Sequence, residues 1–476
     1  MRKWFGILTV LTAVAALLLI SCAAPTPQVV EKTVVVPQTV VVPGAPQVVQ
    51  QTVVVPGAPQ IVQQTVVVPG TPVARPKLTV WIDHDFYSPA TNAVFKAQVL
   101  TWAQQKGVDI EYQQAEPTVM TPRTDAALES KTLPDMIYMA DDRAAKVRRA
   151  GQALDVTDFV AELNKNMGGF LPNALSGITV DGKQYGIPMM MVSEEFYVRQ
   201  DLLDKTGTKY PETWEDAFAF AQKVNNPPTI WGSGHMVGPS DDTEHHTMDM
   251  IWGYGGSVFA ADGKTIVLDS PATRQVLTLL KTNWDKGVWP ADAVTGDNAW
   301  NNTAYQTKKV AWIYNTGSVV SWMKANDPDL LKVTVLGPPP AGPKGRFSFG
   351  IGEPIVIPSY GKNIPLVKDL IRYLCTQQQY EAVVQEMSGF RAPVYKDNAK
   401  MAMWKDPSNK TILDVAPYTY PPGYPGPITN AALQTAGEFV LAKMVGRVLA
   451  DNWTPDRAIA EAVQKVQQIQ ARVGTN

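Results

Sequence analysis

The chain has 476 residues, 45% of them hydrophobic and 18% charged, enough for two or three domains with sizeable cores. Its 42 Lys and Arg against 44 Asp and Glu leave a net charge of −2, which excludes the broad basic footprint that nucleic acid demands. Two cysteines and four histidines leave little for a zinc site or a disulfide framework, whereas 13 Trp and 16 Tyr suit a protein that holds a ligand.

The N-terminus reads as a targeting segment. Arg2 and Lys3 precede an apolar run from Ile7 to Ile20, too short to span a bilayer comfortably but right for a signal sequence. The run ends in Leu19-Ile20-Ser21-Cys22, which resembles the lipobox of bacterial lipoproteins. That resemblance implies removal of 1–21, acylation of Cys22, and attachment to the outer face of the cell membrane, the periplasmic side where two membranes exist. Cys375 then has no partner. It lies in the apolar helical pattern Leu370-Ile371-Arg372-Tyr373-Leu374-Cys375 and reads as a buried, inert thiol.

Residues 22–76 form a Val/Pro/Gln-rich repeat. Gln38-Thr39-Val40-Val41-Val42-Pro43-Gly44-Ala45-Pro46 returns from Gln51 and, in part, from Gln64, a spacing of 13. Recurrent proline forbids helix and interrupts sheet ladders, while the Val triplets favour strand. The expectation is a semi-extended tether with transient β pairing, reaching ~170 Å at ~3.1 Å per residue if fully polyproline-like.

From Lys77 the pattern is α/β. Leu78-Thr79-Val80-Trp81-Ile82 predicts a buried strand, and Ser88-Pro89 predicts a helix start whose Phe95, Val99 and Trp102 share a face up to Gly107. Val108, Ile110 and Tyr112 alternate as a second strand; a helix around Ala126 and Leu128 precedes a third strand at 134–139. Strands alternating with helices predict βαβ units, whose ligands sit beyond the carboxyl ends of the strands. Asp83, His84 and Asp85, then Asp141, Asp142 and Arg143, stand at those ends. Further on, Thr213 and Asp216 predict a capped helix with Trp214, Phe218 and Ala221 on one face.

Gly182-Lys183-Gln184-Tyr185-Gly186-Ile187-Pro188, Asp201-Leu202-Leu203, Pro211-Glu212-Thr213-Trp214-Glu215-Asp216, Gly255-Gly256, Gly350-Ile351-Gly352 with Ile355-Val356-Ile357-Pro358, and a closing helix after Thr454-Pro455 follow one another in a telling order. Over residues 77–476 the chain resembles the family 1 extracellular solute-binding proteins of ABC importers, the maltose-binding-protein-like group. The resemblance implies a two-lobed α/β periplasmic-binding-protein fold of type II, each lobe a mainly parallel sheet flanked by helices. Lobe 1 would comprise 77–190 and 317–354, and lobe 2 191–316 and 355–476. Crossings are expected near Met189–Val192, Ile313–Ser318 and Glu353–Pro358.

The same resemblance implies a carbohydrate in the interlobe cleft, delivered to permease subunits in the membrane by a monomer without cofactor, metal or enzymatic activity. Asp142-Arg143 match the family's acidic residue and arginine that bind sugar hydroxyls, with Asp141 alongside. Carboxylates accept hydrogen bonds from vicinal hydroxyls and a guanidinium donates in a planar fork. Ser193 and Glu194 fall at the first crossing, Asn315, Ser318 and Glu353 at the later ones. Glu244 and His245 lie where relatives present a carboxylate and a ring. Trp252, Tyr254 and Trp300 are aromatic candidates for stacking on a pyranose, and Gly255 for close backbone approach. Asp83 and Asp85 complete the set. Met139 and Ser318 stand where maltose binders stack aromatics, which points away from a maltodextrin but not from a carbohydrate. Other readings are a binder of another small polar solute, a surface sensor, or a carbohydrate-active enzyme using Asp83/Asp85 or Glu194/Glu195 as acid and base. A metal module built from Asp241, Asp242, Glu244, His245, His246 and Asp249 is disfavoured, because no H-x-x-x-H spacing aligns the imidazoles.

Overall fold

Proline placement decides where the repeat segment forms strand. The structure, a computed structural model, describes residues 47–54, 61–68, 75–82, 89–115, 117–180, 182–350, 352–387 and 389–474. The chain divides into two compact units, Met1–Ala74 and Arg75–Asn476. In the first, Gln47–Val54 and Ile61–Val68 pair antiparallel, with Gln51 opposite Gln64 and Val54 opposite Ile61. Neither strand contains a proline; Pro46, Pro56, Pro59 and Pro69 all fall outside them. The expected polyproline-like extension therefore gives way, over these 16 positions, to the strand preference of the Val runs.

The second unit contains two main sheets. In the first, the strand order is Ala392–Pro393, Ile187–Met191, Gly352–Val356, Met136–Tyr138, Lys77–Ile82, Asp109–Gln114. Lys77–Ile82 pairs parallel to Asp109–Gln114 and Met136–Tyr138, as the βαβ pattern predicts. The helix Pro89–Lys106 makes the first connection and ends at Gly107, whose φ of 65° closes the last turn. Gly352–Val356 runs antiparallel to both neighbours, and Ala392–Pro393 is antiparallel to Ile187–Met191, so the parallel character is confined to one side of this sheet. The second sheet is antiparallel: Glu194–Arg199 lies between Trp312–Thr316 and Thr334–Gly337.

Each sheet has its own core. Leu78, Val80, Phe95, Trp102, Tyr138 and Ile355 pack with Leu370, Ile371 and Cys375 against the first sheet. Burial raises the Cys375 thiol to about 12, the inert sulfur expected. Phe196, Trp214, Phe218 and Trp312 pack on one face of the second sheet, and Tyr197, Ile313, Val319 and Met323 on the other. The helix Trp214–Val224 begins with the expected capping box: Thr213 Oγ1 accepts from the Asp216 amide at 3.1 Å, and an Asp216 oxygen accepts from the Thr213 amide at 3.2 Å. Among the described residues no helix is long and apolar enough to cross a membrane.

This pairing corrects the expected lobe boundaries. Residues 318–337 supply the helix Ser318–Asn326 and the edge strand Thr334–Gly337 of the second sheet, so of the expected 317–354 only the end from Gly352 belongs with the first. Conversely Gly352–Val356 and the helices Ile364–Leu374 and Gln377–Met387 join the first sheet and its core. The crossings fall at 192–193, near Gly350, and near 416–419; the stretch 313–318 stays within the second sheet's half. They run side by side. The Gly350 amide donates to the Tyr420 carbonyl at 3.0 Å, and a Cβ on Gly350 would stand 1.8 Å from Thr419 Cγ2 and 2.5 Å from the Val192 carbonyl oxygen. Only glycine fits between the other two crossings.

Candidate functional site

Glu194 is the first residue past the 192–193 crossing, and a polar cluster is built around it. Its amide donates to Ser348 Oγ at 3.3 Å, tying it to the strand that leads into the Gly350 crossing. Its carboxylate faces the first turns of the helix Asp241–Gly253, with Oε2 3.2 Å from His246 Nε2 and Oε1 3.8 Å from His245 Nδ1. Burial works to raise this carboxyl, but the imidazoles of His246 and His245 outweigh it and hold Glu194 below the usual carboxylate range. His246 is fully buried, whereas the His245 side chain keeps 19% of its surface exposed, so His245 is the one of the pair that can meet a solute. Its ring stacks on Phe349 at 3.5 Å with 8° between the planes.

Behind this pair lies a second layer. Tyr314 places its hydroxyl 2.8 Å from Asp249 Oδ2 and 3.0 Å from Ser348 Oγ. Burial, and then the neighbouring Glu194 charge, push Asp249 well above its ordinary value. On the other flank Asn315 Nδ2 donates to Asn301 Oδ1 at 2.9 Å, and Asn301 Nδ2 donates to Asp242 Oδ2 at 3.0 Å. Burial raises Asp242 to about 6. The Thr316 hydroxyl stands 3.1 Å from Ser318 Oγ. Cross-strand pairing sets Thr316 opposite Glu194 on one face of this sheet, while Asn315, opposite Glu195 on the other face, reaches the cluster through Asn301 and Asp242.

The structure thus sets Glu194 beside His245, links Asn315 through Asn301 to Asp242, and places Ser318 beside Thr316, whereas Ser193 is buried at the crossing and its hydroxyl meets no hydrogen-bond partner among the described residues. Trp300 opens the helix Trp300–Gln306 beside Asn301, with its Cγ where a Cβ on Gly296 would stand 2.7 Å away. Asp242, His246 and Asn301 belong to the same cluster; the first two were weighed in the sequence only as metal ligands, and no spacing marks Asn301, Ser348 or Phe349. Among the described residues no group of three or more His, Cys, Asp or Glu is arranged to hold a metal ion.

Other candidates lie elsewhere. Glu244 is fully buried and turned away: its Oε2 accepts from the Ala442 amide at 2.8 Å, inside the first turn of the helix Val440–Leu449. It satisfies an orphan helix-end donor, which corrects the expectation of a ligand carboxylate there. Trp252 is 2% exposed and packs against Phe347, Tyr420 and Tyr424 at 5.5–6.5 Å, a core role. Tyr254 donates to Glu215 Oε1 at 2.5 Å, and Gly255 adopts φ 89° beneath Lys344, as a turn. Glu353 is buried in the first sheet opposite Met190, accepting from Arg391 Nε at 2.9 Å and from the Tyr138 hydroxyl at 2.5 Å. Asp141, Asp142 and Arg143 open the helix Asp141–Arg149, directly after the strand Met136–Tyr138. Asp83, Asp85 and Cys22 lie outside the described residues.

The second unit thus combines two main sheets, three adjacent crossings and a polar cluster beside them. The model of the bacterial extracellular solute-binding protein family matches residues 86–381, more than half of the chain. The chain belongs to this family. A binding protein of Brucella abortus is 26% identical over 239 residues, covering 49% of this chain and 56% of that relative, so the match spans little more than half of the relative's length. The maltodextrin-binding protein of Bacillus subtilis is 26% identical over 257 residues, covering 50% of this chain and 56% of its own length. Among solved structures, an ABC transporter solute-binding protein of Thermotoga lettingae bound with α-D-tagatose superposes with a TM-score of 0.69 at 21% identity, over 83% of this chain and 99% of that one. That likeness establishes the periplasmic-binding-protein fold.

Proposed function

We propose that this family member is the lipid-anchored substrate-binding component of an ABC importer, capturing a sugar or oligosaccharide and presenting it to membrane permease subunits. The observation that carries the reading is the cluster of Glu194, His245, Asn315 and Ser318 beside three side-by-side crossings, in a solute-binding family whose structural neighbour holds a sugar. A charged carboxylate, an imidazole, a carboxamide and a hydroxyl give alternating acceptors and donors for vicinal hydroxyls. Asp142 and Arg143, carried by the helix after the third strand of the first sheet, face them in this proposal from the other lobe. Closure about the crossings then brings both sets onto one ligand, and binding shifts the open–closed population. The anchor is an acylated Cys22, and residues 22–76 are the tether.

Calorimetry on site variants tests this. Asn315→Ala and Asp142→Ala each leave hydroxyl partners unmatched in a partly dry cleft and should weaken saccharide binding by about 1–3 kcal/mol, roughly 5- to 150-fold. Full affinity in both variants would remove this placement of the site.

A further inference from the structure

The paired strands of the first unit have a hydropathy pattern that reads the same in both directions. Val48-Val49-Gln50-Gln51-Thr52-Val53-Val54 is two apolar residues, three polar, two apolar, centred on Gln51; Ile61-Val62-Gln63-Gln64-Thr65-Val66-Val67 repeats it around Gln64. In the observed antiparallel register Gln51 faces Gln64, Gln50 faces Thr65, Thr52 faces Gln63, Val49 faces Val66 and Val53 faces Val62, apolar against apolar and polar against polar. A strand with this symmetry is complementary to an antiparallel copy of itself, because the reversal preserves the pattern.

Among the described residues each strand is paired along one edge only, in a sheet of two. A two-stranded hairpin is marginal in water, and an open edge is normally blunted by lysine, proline or a bulge. Here the two strands contain neither lysine nor proline, their register runs without a bulge, and no residue from Gln38 to Ala74 is charged. We infer that the tether is a self-association surface: the hairpins of two copies of this chain join edge to edge through identical strands. The register is two-fold, with Gln51 opposite Gln51 of the second copy, or Gln64 opposite Gln64. Such an interface is isologous, as closed dimers require.

Variants of the intact chain with one added cysteine test the register. Directly opposed Cα atoms in an antiparallel pair are ~4.5–5.5 Å apart, within the ~4.4–6.8 Å that a disulfide spans. Gln51→Cys or Gln64→Cys should therefore give a covalent dimer on mild oxidation. Val48→Cys should not, because in the same register its counterpart lies six residues along the strand, ~20 Å away. The parent chain, which carries Cys22 and the buried Cys375, is the blank, so that any cross-link through Cys22 appears there too and is subtracted. Introducing Val49→Lys with Val53→Lys, or Val62→Lys with Val66→Lys, puts like charges on the self-paired edge and should abolish the cross-link of the corresponding cysteine variant without moving the melting temperature of the second unit. Monomer alone in both central variants, or cross-linking as efficient at Val48→Cys as at the centres, would overturn the proposal.

Discussion

Glu195 offers a sharp test of the burial argument. Its side chain is fully buried, and Tyr197 places its hydroxyl 3.1 Å from Oε2 and 2.6 Å from the Thr316 carbonyl oxygen. A phenol has one hydrogen and a carbonyl can only accept, so Tyr197 donates to Thr316, and a partner facing its oxygen must donate in turn. Glu195 can do so only when protonated. Burial agrees, raising this carboxyl from 4.5 to about 8 against the smaller opposing effects of Tyr197 and Lys324. The unfolded chain gives up this proton near its ordinary value while the folded chain keeps it, so folding stability falls as pH rises between the two. At up to ~1.4 kcal/mol per pH unit, on the order of 3–5 kcal/mol is lost from this residue by pH 8, and the loss then levels off. Glu195→Gln keeps the shape and supplies a permanent donor to Tyr197. Urea midpoints at pH 5, 6.5, 8 and 9 should converge for the two proteins at the acid end, with the variant ahead by pH 8. Parallel pH profiles would refute the protonated Glu195.

Three further outcomes follow from particular contacts. Glu244→Ala removes the acceptor of the buried Ala442 amide and should cost about 1–3 kcal/mol of stability in chemical denaturation while saccharide affinity stays unchanged. Gly350→Ala forces a Cβ against Thr419 and Val192 and should lower stability by about 1–3 kcal/mol or more, with altered ligand affinity because the crossings must separate. Cys22→Ser should block lipid modification, shifting the protein out of the detergent phase and changing its intact mass; unchanged acylation would remove the anchor.

Local signals in the sequence translated well where the physics is local. Thr213 and Asp216 cap their helix as read, Thr454 caps the helix Pro455–Val473, and the buried strand at 77–82 and the helix ending at Gly107 stand where the pattern puts them. The lobe boundaries were not legible, because whether Gly352–Val356 joins the first or the second sheet depends on partners about 160 to 220 residues away. Among site residues, Glu244 and His245 show the limit of sequence spacing. Neighbours on a helix diverge by about 100°, so one serves the helix Val440–Leu449 and the other faces Phe349. Ser348 and Phe349 precede a crossing with no motif of their own, and only the fold brings them to Glu194. In the repeat segment proline frequency masked the proline-free octets that pair.

The account stands most directly on one measurement, a thermal-shift titration of the protein with mono- and oligosaccharides beside amino acids, peptides and polyamines. Mass action requires a ligand of the folded state to raise the melting temperature with concentration. The account predicts such a rise for at least one saccharide and its loss in Asn315→Ala; a rise with another solute class, and none with any saccharide, would contradict it.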